Sequence, residues 1–536
     1  MTTPGWAVHL PRPAGDGAGA SPVAPAPPGD TLPMAWAARF DAAPDRPVLW
    51  EERRGWIRAG DLDGASRRVA GRLAAAGLRP GDRILMSAAT SVELVEAHVA
   101  ALRLGLVVVP ANTAYREREI AHVVADCSPR AAVVDDAERA DWIRRAGPDV
   151  LVVGPDVDVA GGNVDGGRGG PGPRTAALDA AAPGDPALIG YTSGTTGTPK
   201  GAVLSHANLL ASSESVRLAW RWTADDRLVL ALPLFHIHGL GVGLHGTLLA
   251  GASAVLLPRF DPGAVLDAAA VHDATLFFGV PTMYARLADS PRLAELGRLR
   301  LCVSGSAPLP PAVFDRLAAD SGQRVLERYG MTETGMNVSN PYDGERRPGT
   351  VGFPLPGVEL RLARARGTGG VPPTTAEGAA TVGEIELRGP NVFRGYWGRP
   401  EETAAAFTTD GWFRTGDIGQ HDPDGYLRLV GRARELIITG GLNVYPREVE
   451  DVLREHPAVA DVAVAGVPDA EWGEVVTAWI VPTRSGAPPP DAELLGFAAE
   501  RLARFKCPRR VVVVDALPRN ALGKVLRHEL RPGGSD

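Results

Sequence analysis

The sequence predicts an α/β protein: a large N-terminal domain of βα-layered sheets followed by a small C-terminal α+β domain. Two observations carry this. Helical and strand patterns alternate between about residues 62 and 136, and the texture changes near residue 424 to short strands and two helices packed into about 100 residues.

In order, LDGASRRVAGRLAAAGL (62–78) repeats its apolar residues at helical spacing, and GDRILMSA reads as a strand. SVELVEAHVAALRLG is helical again and LVVVPAN is a buried strand. YREREIAHVVADC (115–127) is a helix and AAVVDD a strand. Such alternation implies parallel strands covered by helices. Past the middle, LFFGVPTMYARLAD (276–289) runs strand, turn, helix. DGYLRLVGRARELIITGG (424–441) reads as a hairpin-like pair of strands, and PREVEDVLREH as a helix opened by Pro446. Two strands, the helix DAELLGFAAERLARF and the strand RRVVVVDALP complete the chain. The expected layout is a flexible Pro/Ala/Gly-rich lead (1–30), a large domain (31–432) and a small domain (433–536), with surface tracts at 154–176 and 365–380.

The 536 residues are 45% hydrophobic and 22% charged, an ordinary globular balance. No apolar run reaches the roughly 18 residues that a membrane helix needs, and the N-terminus lacks a basic-then-apolar signal pattern. A cytoplasmic protein without a membrane partner is expected. Cys127, Cys302 and Cys507 lie far apart, so neither a disulfide framework nor a paired metal spacing is indicated. The net charge of -7 without a basic block argues against a nucleic-acid partner.

Of 56 basic residues only Lys200, Lys506 and Lys524 are lysines, so 53 are arginines. Where arginine replaces lysine so freely, a retained lysine is a candidate for work that needs a compact ammonium on a flexible stem. Lys200 closes YTSGTTGTPKG, where hydroxyls and glycines lead into a turn and then a helix. Such a loop offers backbone N–H groups and hydroxyls to phosphate oxygens. It lacks the Gly-Lys-Ser/Thr ending of a Walker A loop.

This segment resembles the phosphate loop of the adenylate-forming superfamily of acyl- and aryl-CoA synthetases, luciferases and adenylation domains. Four further signatures follow in family order: ERYGMTE (327–333), GWFRTGD (411–417), GRARELIITGGLNVYPREVE (431–450) and PRNALGK (518–524). The resemblance implies that Thr192, Ser193, Gly194, Thr195, Thr196, Gly197 and Lys200 hold ATP phosphates. It implies that Gly305, Ser306, Ala307, Glu327, Arg328, Tyr329, Gly330, Met331 and Thr332 line the nucleotide site. Glu333 would carry Mg²⁺, and Asp417 and Arg432 would hold the ribose. Lys524 would enter the site and stabilise charge as a carboxylate attacks the α-phosphate, with Thr332, Glu333 and His236 among the catalytic set. The small domain would be mobile, turning at Arg434 between adenylation and thioester formation, with Gly440, Gly441 and Trp472 near coenzyme A. Lys524 is also the position that a lysine acetyltransferase modifies in some members.

The acid is read from FHIHGL, GVPTMYARL, SGSAPLP and MTETGMNVSNPYDGERRPGTVG. Arg286 and Ser306 could hold a second carboxylate through a charge-assisted fork, with Arg259 a weaker alternative. These segments resemble malonyl/methylmalonyl-CoA synthetases. That resemblance implies that Arg286 and Ser306 contact the distal carboxylate, that His236 and His238 flank the acid channel, and that Ile237 and Met336 set the room at C2. The expected enzyme joins malonate or a 2-substituted malonate to coenzyme A through an acyl-adenylate. The alternatives are a short-chain or aryl acid–CoA ligase of the same fold, or an adenylation enzyme that loads a carrier protein.

Overall fold

The structure is a computed structural model. It describes residues 5–10, 30–158, 177–192, 199–363, 382–432, 435–439, 442–469, 472–483, 489–502, 504–520 and 523–530. The chain divides into two compact units. One comprises Met1–Glu359 with Arg388–Gly411, the other Leu360–Leu387 with Trp412–Asp536.

The first unit is built on two large sheets. In the seven-stranded sheet, Arg83–Ser87, Val107–Pro110, Ala131–Val134 and Leu151–Val153 run parallel, as the βα alternation requires. The helices between them are Val92–Arg103, capped by the Ser91 side chain on Leu94 N–H (3.2 Å), Glu117–Cys127 and Ala137–Ala146. Pro186–Thr192 joins this sheet and pairs antiparallel with Lys200–Ser205. This differs from the turn-then-helix expected after Lys200. A six-residue strand intervenes, and the helix His206–Ala219 begins only after Ser205 caps it.

The nine-stranded sheet runs, from one edge, Phe353–Pro354, Gly335–Ser339, Leu326–Met331, Leu301–Ser304, Leu276–Gly279, Arg227–Leu230, Ser253–Leu256, Pro47–Glu51 and Gly55–Arg58. Its middle strands are parallel and almost wholly buried, hence their apolar runs such as LFFG. Helix Pro281–Ala288 follows Leu276–Gly279 as the sequence predicts, and its Tyr284 and Leu287 sit in a core with Val229, Phe277 and Phe314. Residues 5–10 depart from the expected flexible lead. Gly5–His9 forms a 3-10 turn, His9 and Leu10 are buried, and the His9 ring meets Phe353 O at 3.2 Å.

In the second unit the expected hairpin over 424–441 does not form. Leu427–Arg432 pairs antiparallel with Phe413–His421, whereas Ile437–Thr439 pairs with Leu442–Val444 in another sheet. That second sheet also holds Val459–Asp469, Gly473–Pro482 and Arg510–Val513. Helices Pro446–Arg454 and Asp491–Ala499 bury Val449, Leu453, Leu494 and Ala498 with its strands.

Candidate active site

The residues that the resemblance assigns to the ATP phosphates gather in the first unit where the hairpin Pro186–Thr192/Lys200–Ser205 meets the end of Leu326–Met331. Ser193, Gly194, Thr195, Thr196 and Gly197 lie outside the described residues. Thr192 and Lys200 face each other across the hairpin, and Thr192 Oγ1 lies 3.5 Å from Lys200 O. Lys200 is ion-paired with Glu402 of helix Pro400–Ala406 and lies 5.5 Å from the Tyr396 ring centroid. Tyr396 donates its hydroxyl to Glu333 Oε1 (3.2 Å), and burial and that carboxylate raise the phenol pKa. Thr332 closes against Gly190, where a Cβ would lie 2.4 Å from Thr332 Cγ2. Lys200, Tyr396 and Glu333 thus form one chain of contacts, which the RGYW segment (394–397) and Glu402 complete. Sequence reading passed over both, because neither carries a signature of its own.

The buried Glu333 carboxylate is a hard oxygen donor. Mg²⁺ is commonly bound by one or two carboxylates plus substrate phosphates, which this setting suits. Among the described residues no group of three or more His, Cys, Asp or Glu could hold a metal by itself.

Glu327, Arg328 and Tyr329 are buried on Leu326–Met331, which continues through half-buried Gly330 and Met331. Glu327 braces loops: its carboxylate accepts from Leu309 N–H (3.1 Å) and Gly349 N–H (2.9 Å). Tyr329 hydroxyl lies 3.7 Å from Met331 Sδ. Successive strand residues point to opposite faces, so Arg328 and Tyr329 cannot serve the same side. The Arg328 guanidinium lies against Gly305, where a Cβ would stand 2.3 Å from its Cζ. That is why glycine occupies 305.

Around Arg328 stand the residues that the resemblance assigns to the acid. His238 opens a π-helical turn, His238–Leu244, of a kind often found at functional sites. Its Nδ1 is 3.4 Å from Ser306 Oγ, and His238 N–H donates to His236 Nδ1 (3.2 Å). Burial, then the Arg328 charge, depresses both imidazoles: His236 to about 4 and His238 well below its usual value. Both are therefore neutral at pH 7. Ser306 adopts φ +72°, left-handed backbone that costs a serine strain and is typical of functional loops. Ala307 follows it, half-buried. Ile237 turns onto the π turn, where a Cβ on Gly241 would stand 2.5 Å from its Cδ1. Met336 is buried across the adjoining hairpin, its Cε 2.3 Å from where a Gly330 Cβ would lie.

Arg286 is not in this group. Helix Pro281–Ala288 buries Pro281, Tyr284, Leu287 and Ala288, a three-to-four-residue stripe that leaves position 286 on the outer side. The Arg286 side chain is exposed, its guanidinium 5.0 Å from the Phe260 ring centroid. The expectation placed this side chain inside the acid cavity; in this structure it lies on the exposed face of its helix. Arg259 is exposed as well.

In the second unit Asp417 and Arg432 are register partners, Arg432 Nε 3.1 Å from Asp417 Oδ1. Asp417 stands in the strand Phe413–His421 after Gly416 at φ +72°, rather than in a free turn. Lys524 sits in a turn in which Asn520 Oδ1 accepts from Lys524 N–H (2.9 Å) and Asn520 N–H donates to Lys524 O (2.9 Å). Trp472 is covered by the Arg509 guanidinium, 3.6 Å from its ring centroid. Arg434, Gly440 and Gly441 lie outside the described residues.

With this geometry in hand, comparison with known proteins gives the class. Residues 36–397 match the AMP-binding enzyme family and residues 448–524 its C-terminal domain. A feruloyl-CoA synthase of an Amycolatopsis species is 39% identical over 468 residues, 87% of this chain and 91% of its own. A sulfoacetate–CoA ligase of Cupriavidus necator is 37% identical over 509 residues, 94% and 97% of the two chains. ATP-bound MatB from Rhodopseudomonas palustris is 41% identical with a TM-score of 0.83, covering 93% of this chain and 97% of that one. A malonyl-CoA ligase ternary product complex with methylmalonyl-CoA and AMP is 44% identical with a TM-score of 0.63, covering 89% and 97%. The chain belongs to the AMP-binding enzyme family. Within it, this protein is an AMP-forming acid–CoA ligase. No helix among the described residues is long and apolar enough to cross a membrane.

Proposed function

We propose that the enzyme activates malonate or a 2-substituted malonate and transfers it to coenzyme A. The observation that carries this reading is the 44% identity, over 89% of the chain, to the malonyl-CoA ligase crystallised with methylmalonyl-CoA and AMP. In the first half-reaction a substrate carboxylate oxygen attacks the α-phosphorus of ATP and pyrophosphate leaves. In the second, the coenzyme A sulfur attacks the acyl carbon, loses its proton, and AMP leaves.

Lys200 and the 193–197 loop are assigned to the triphosphate, Tyr329 to the base, and Asp417 and Arg432 to the ribose. Mg²⁺ held through Glu333 would draw negative charge off the phosphates. Positioning and electrostatics are what in-line attack on phosphorus needs. Lys524 is assigned to charge stabilisation in adenylation, with rotation at Arg434 before thiol attack, and Gly440, Gly441 and Trp472 to coenzyme A. We further assign the protein to the cytoplasm and Lys524 to control by a lysine acetyltransferase, since acetylation would remove its charge.

The relatives named for ferulate and sulfoacetate, at 39% and 37% identity, define the competing acids. A panel of malonate, methylmalonate, sulfoacetate, ferulate and acetate, followed by coenzyme A-dependent AMP release, tests the choice. Malonate or methylmalonate is expected to give the highest kcat/KM. A higher value for ferulate or acetate would overturn the dicarboxylate reading.

A further inference from the structure

Resting on the assignment of Lys200 to the triphosphate, we infer that Glu402 stands in for a phosphate of ATP. Its carboxylate occupies the Lys200 ammonium in the free enzyme and passes wholly to Arg399 when ATP takes that ammonium. Glu402 thereby sets the affinity for ATP and for pyrophosphate without touching either.

The case begins with the burial of Lys200, whose side chain is only 13% exposed. An ammonium so covered needs an anion beside it. In the free enzyme Glu402 supplies one, and the Tyr396 ring lies next to the same ammonium. Glu402 comes from a separate element, the first turn of helix Pro400–Ala406. That helix buries none of its residues. It is anchored through Thr403, whose Oγ1 accepts from Tyr396 N–H (2.9 Å) and whose Cγ2 lies 2.4 Å from where a Gly395 Cβ would stand. The ion pair with Lys200 is therefore not what holds the helix in place.

The carboxylate is shared between two cations. Glu402 Oε2 meets Lys200, while Oε1 accepts from Arg399 Nη1 at 3.0 Å, three residues earlier. Arg399 Nη2 lies 3.5 Å from Asp126 Oδ1. A carboxylate left on Lys200 would face the incoming triphosphate as a like charge, so binding drives the pair apart. When Lys200 turns to a phosphate oxygen, Glu402 keeps its guanidinium and, at 35% exposure, water. Release therefore strands neither charge. The backbone beside Lys200 is fixed independently by helix Glu117–Cys127. Its Asp126 Oδ2 accepts from the Tyr191 hydroxyl (2.6 Å), and its His122 Nε2 lies 2.9 Å from Pro199 O. The exchange is left to the flexible four-carbon stem of the lysine, which a planar guanidinium at position 200 would not reproduce. When pyrophosphate leaves, Glu402 recovers the ammonium.

Full-length enzyme and its Glu402→Gln, Lys200→Met and Glu402→Gln/Lys200→Met variants test this. AMP release would be measured against ATP and malonate, together with inhibition by pyrophosphate and the Tm of each protein. Glutamine keeps the shape of Glu402 and removes its charge. We expect Glu402→Gln to lower the ATP KM about threefold, the scale of a partly exposed ion pair. The inhibition constant of pyrophosphate should fall by the same factor. The malonate KM should hold and kcat stay within about twofold, the pattern of a change in binding alone. Glu402→Ala should shift the ATP KM in the same direction. Lys200→Met should raise the ATP KM, and adding Glu402→Gln to it should change nothing further, since the carboxylate acts through the ammonium. An unchanged or higher ATP KM in folded Glu402→Gln, with Lys200→Met impaired, would overturn the inference and leave the assignment of Lys200 intact. A threefold fall that persists in the double variant would mean that Glu402 acts on ATP directly, and would overturn the exchange. A lowered Tm with all KM values raised together would mark Glu402 as structural and overturn it too. An ATP KM unchanged in Lys200→Met would overturn the assignment of Lys200 itself.

Discussion

Lys524 and Lys200 share a residue type and a scarcity, but their surroundings separate their work. Lys200 is tethered, with Glu402 on its ammonium and Tyr396 beneath it. Lys524 stands in a turn whose backbone Asn520 ties at both ends. The turn fixes where the lysine leaves the chain. If Lys524 acts in adenylation alone, Lys524→Ala should lower adenylation by about 100- to 1,000-fold, the usual scale for losing one preorganised charge donor. Pyrophosphate exchange would measure that loss. Thioester formation from supplied malonyl-adenylate should stay within about threefold of wild type, because a group used only in one transition state affects only that step. Equal loss in both half-reactions would contradict the assignment.

At the scale of elements, the site depends on two strand ends meeting. Gly190, near the end of Pro186–Thr192, leaves room for Thr332, the residue before Glu333. A methyl group there would stand 2.4 Å from Thr332 Cγ2. Gly190→Ala should therefore cost about 1–3 kcal/mol of stability by overpacking and lower kcat by displacing Thr332. Urea unfolding and AMP release would check the two effects, and a variant unchanged in both would refute the coupling. The elements themselves were largely legible. The 62–134 alternation gave parallel strands because period 2 and period 3.6 are local properties of the chain. Pairing is not local. The two strands of 424–441 joined different sheets, and KGAVLS became a strand because Pro186–Thr192 lay ready to pair with it. The exposed position of Arg286 was legible from its neighbours. Tyr284, Leu287 and Ala288 define a buried stripe that excludes position 286. Arg328 was legible only as part of ERYGMTE. That it lies on Gly305, 23 residues earlier, follows from two adjacent parallel strands and from no spacing in the sequence.

Across the molecule, burial of histidine sets an acid limit on the first unit. His9, His98, His206, His238 and His245 are each at most 2% exposed, and all lie in that unit. Burial lowers His98 to about 3 and His9 and His206 to about 4, from 6.5, and depresses His238 and His245 as well. The His98 and His245 rings meet at 2.9 Å through their Nε2 atoms, an arrangement that serves one donor and one acceptor and has no place for two protons. The sign follows from linkage. Above pH 6.5 these rings are neutral in both folded and unfolded chains and contribute no pH dependence. As pH falls from 6.5 toward 4, the unfolded chain takes up protons that the folded chain refuses, so stability is lost. At pH 5.5 each such ring costs about 1.4 kcal/mol, one pH unit below its unfolded pKa. Several rings titrating together should lower Tm by many degrees between pH 7 and pH 5. Calorimetry at pH 7.5, 6.5, 5.5 and 4.5 would follow the fall. His98→Gln should flatten the slope by about one ring's share, because glutamine keeps a polar group beside His245 without binding a proton. A Tm constant from pH 7.5 to 4.5 would mean that these rings take up protons in the fold as readily as in the unfolded chain, and would contradict the lowering of their pKa by burial.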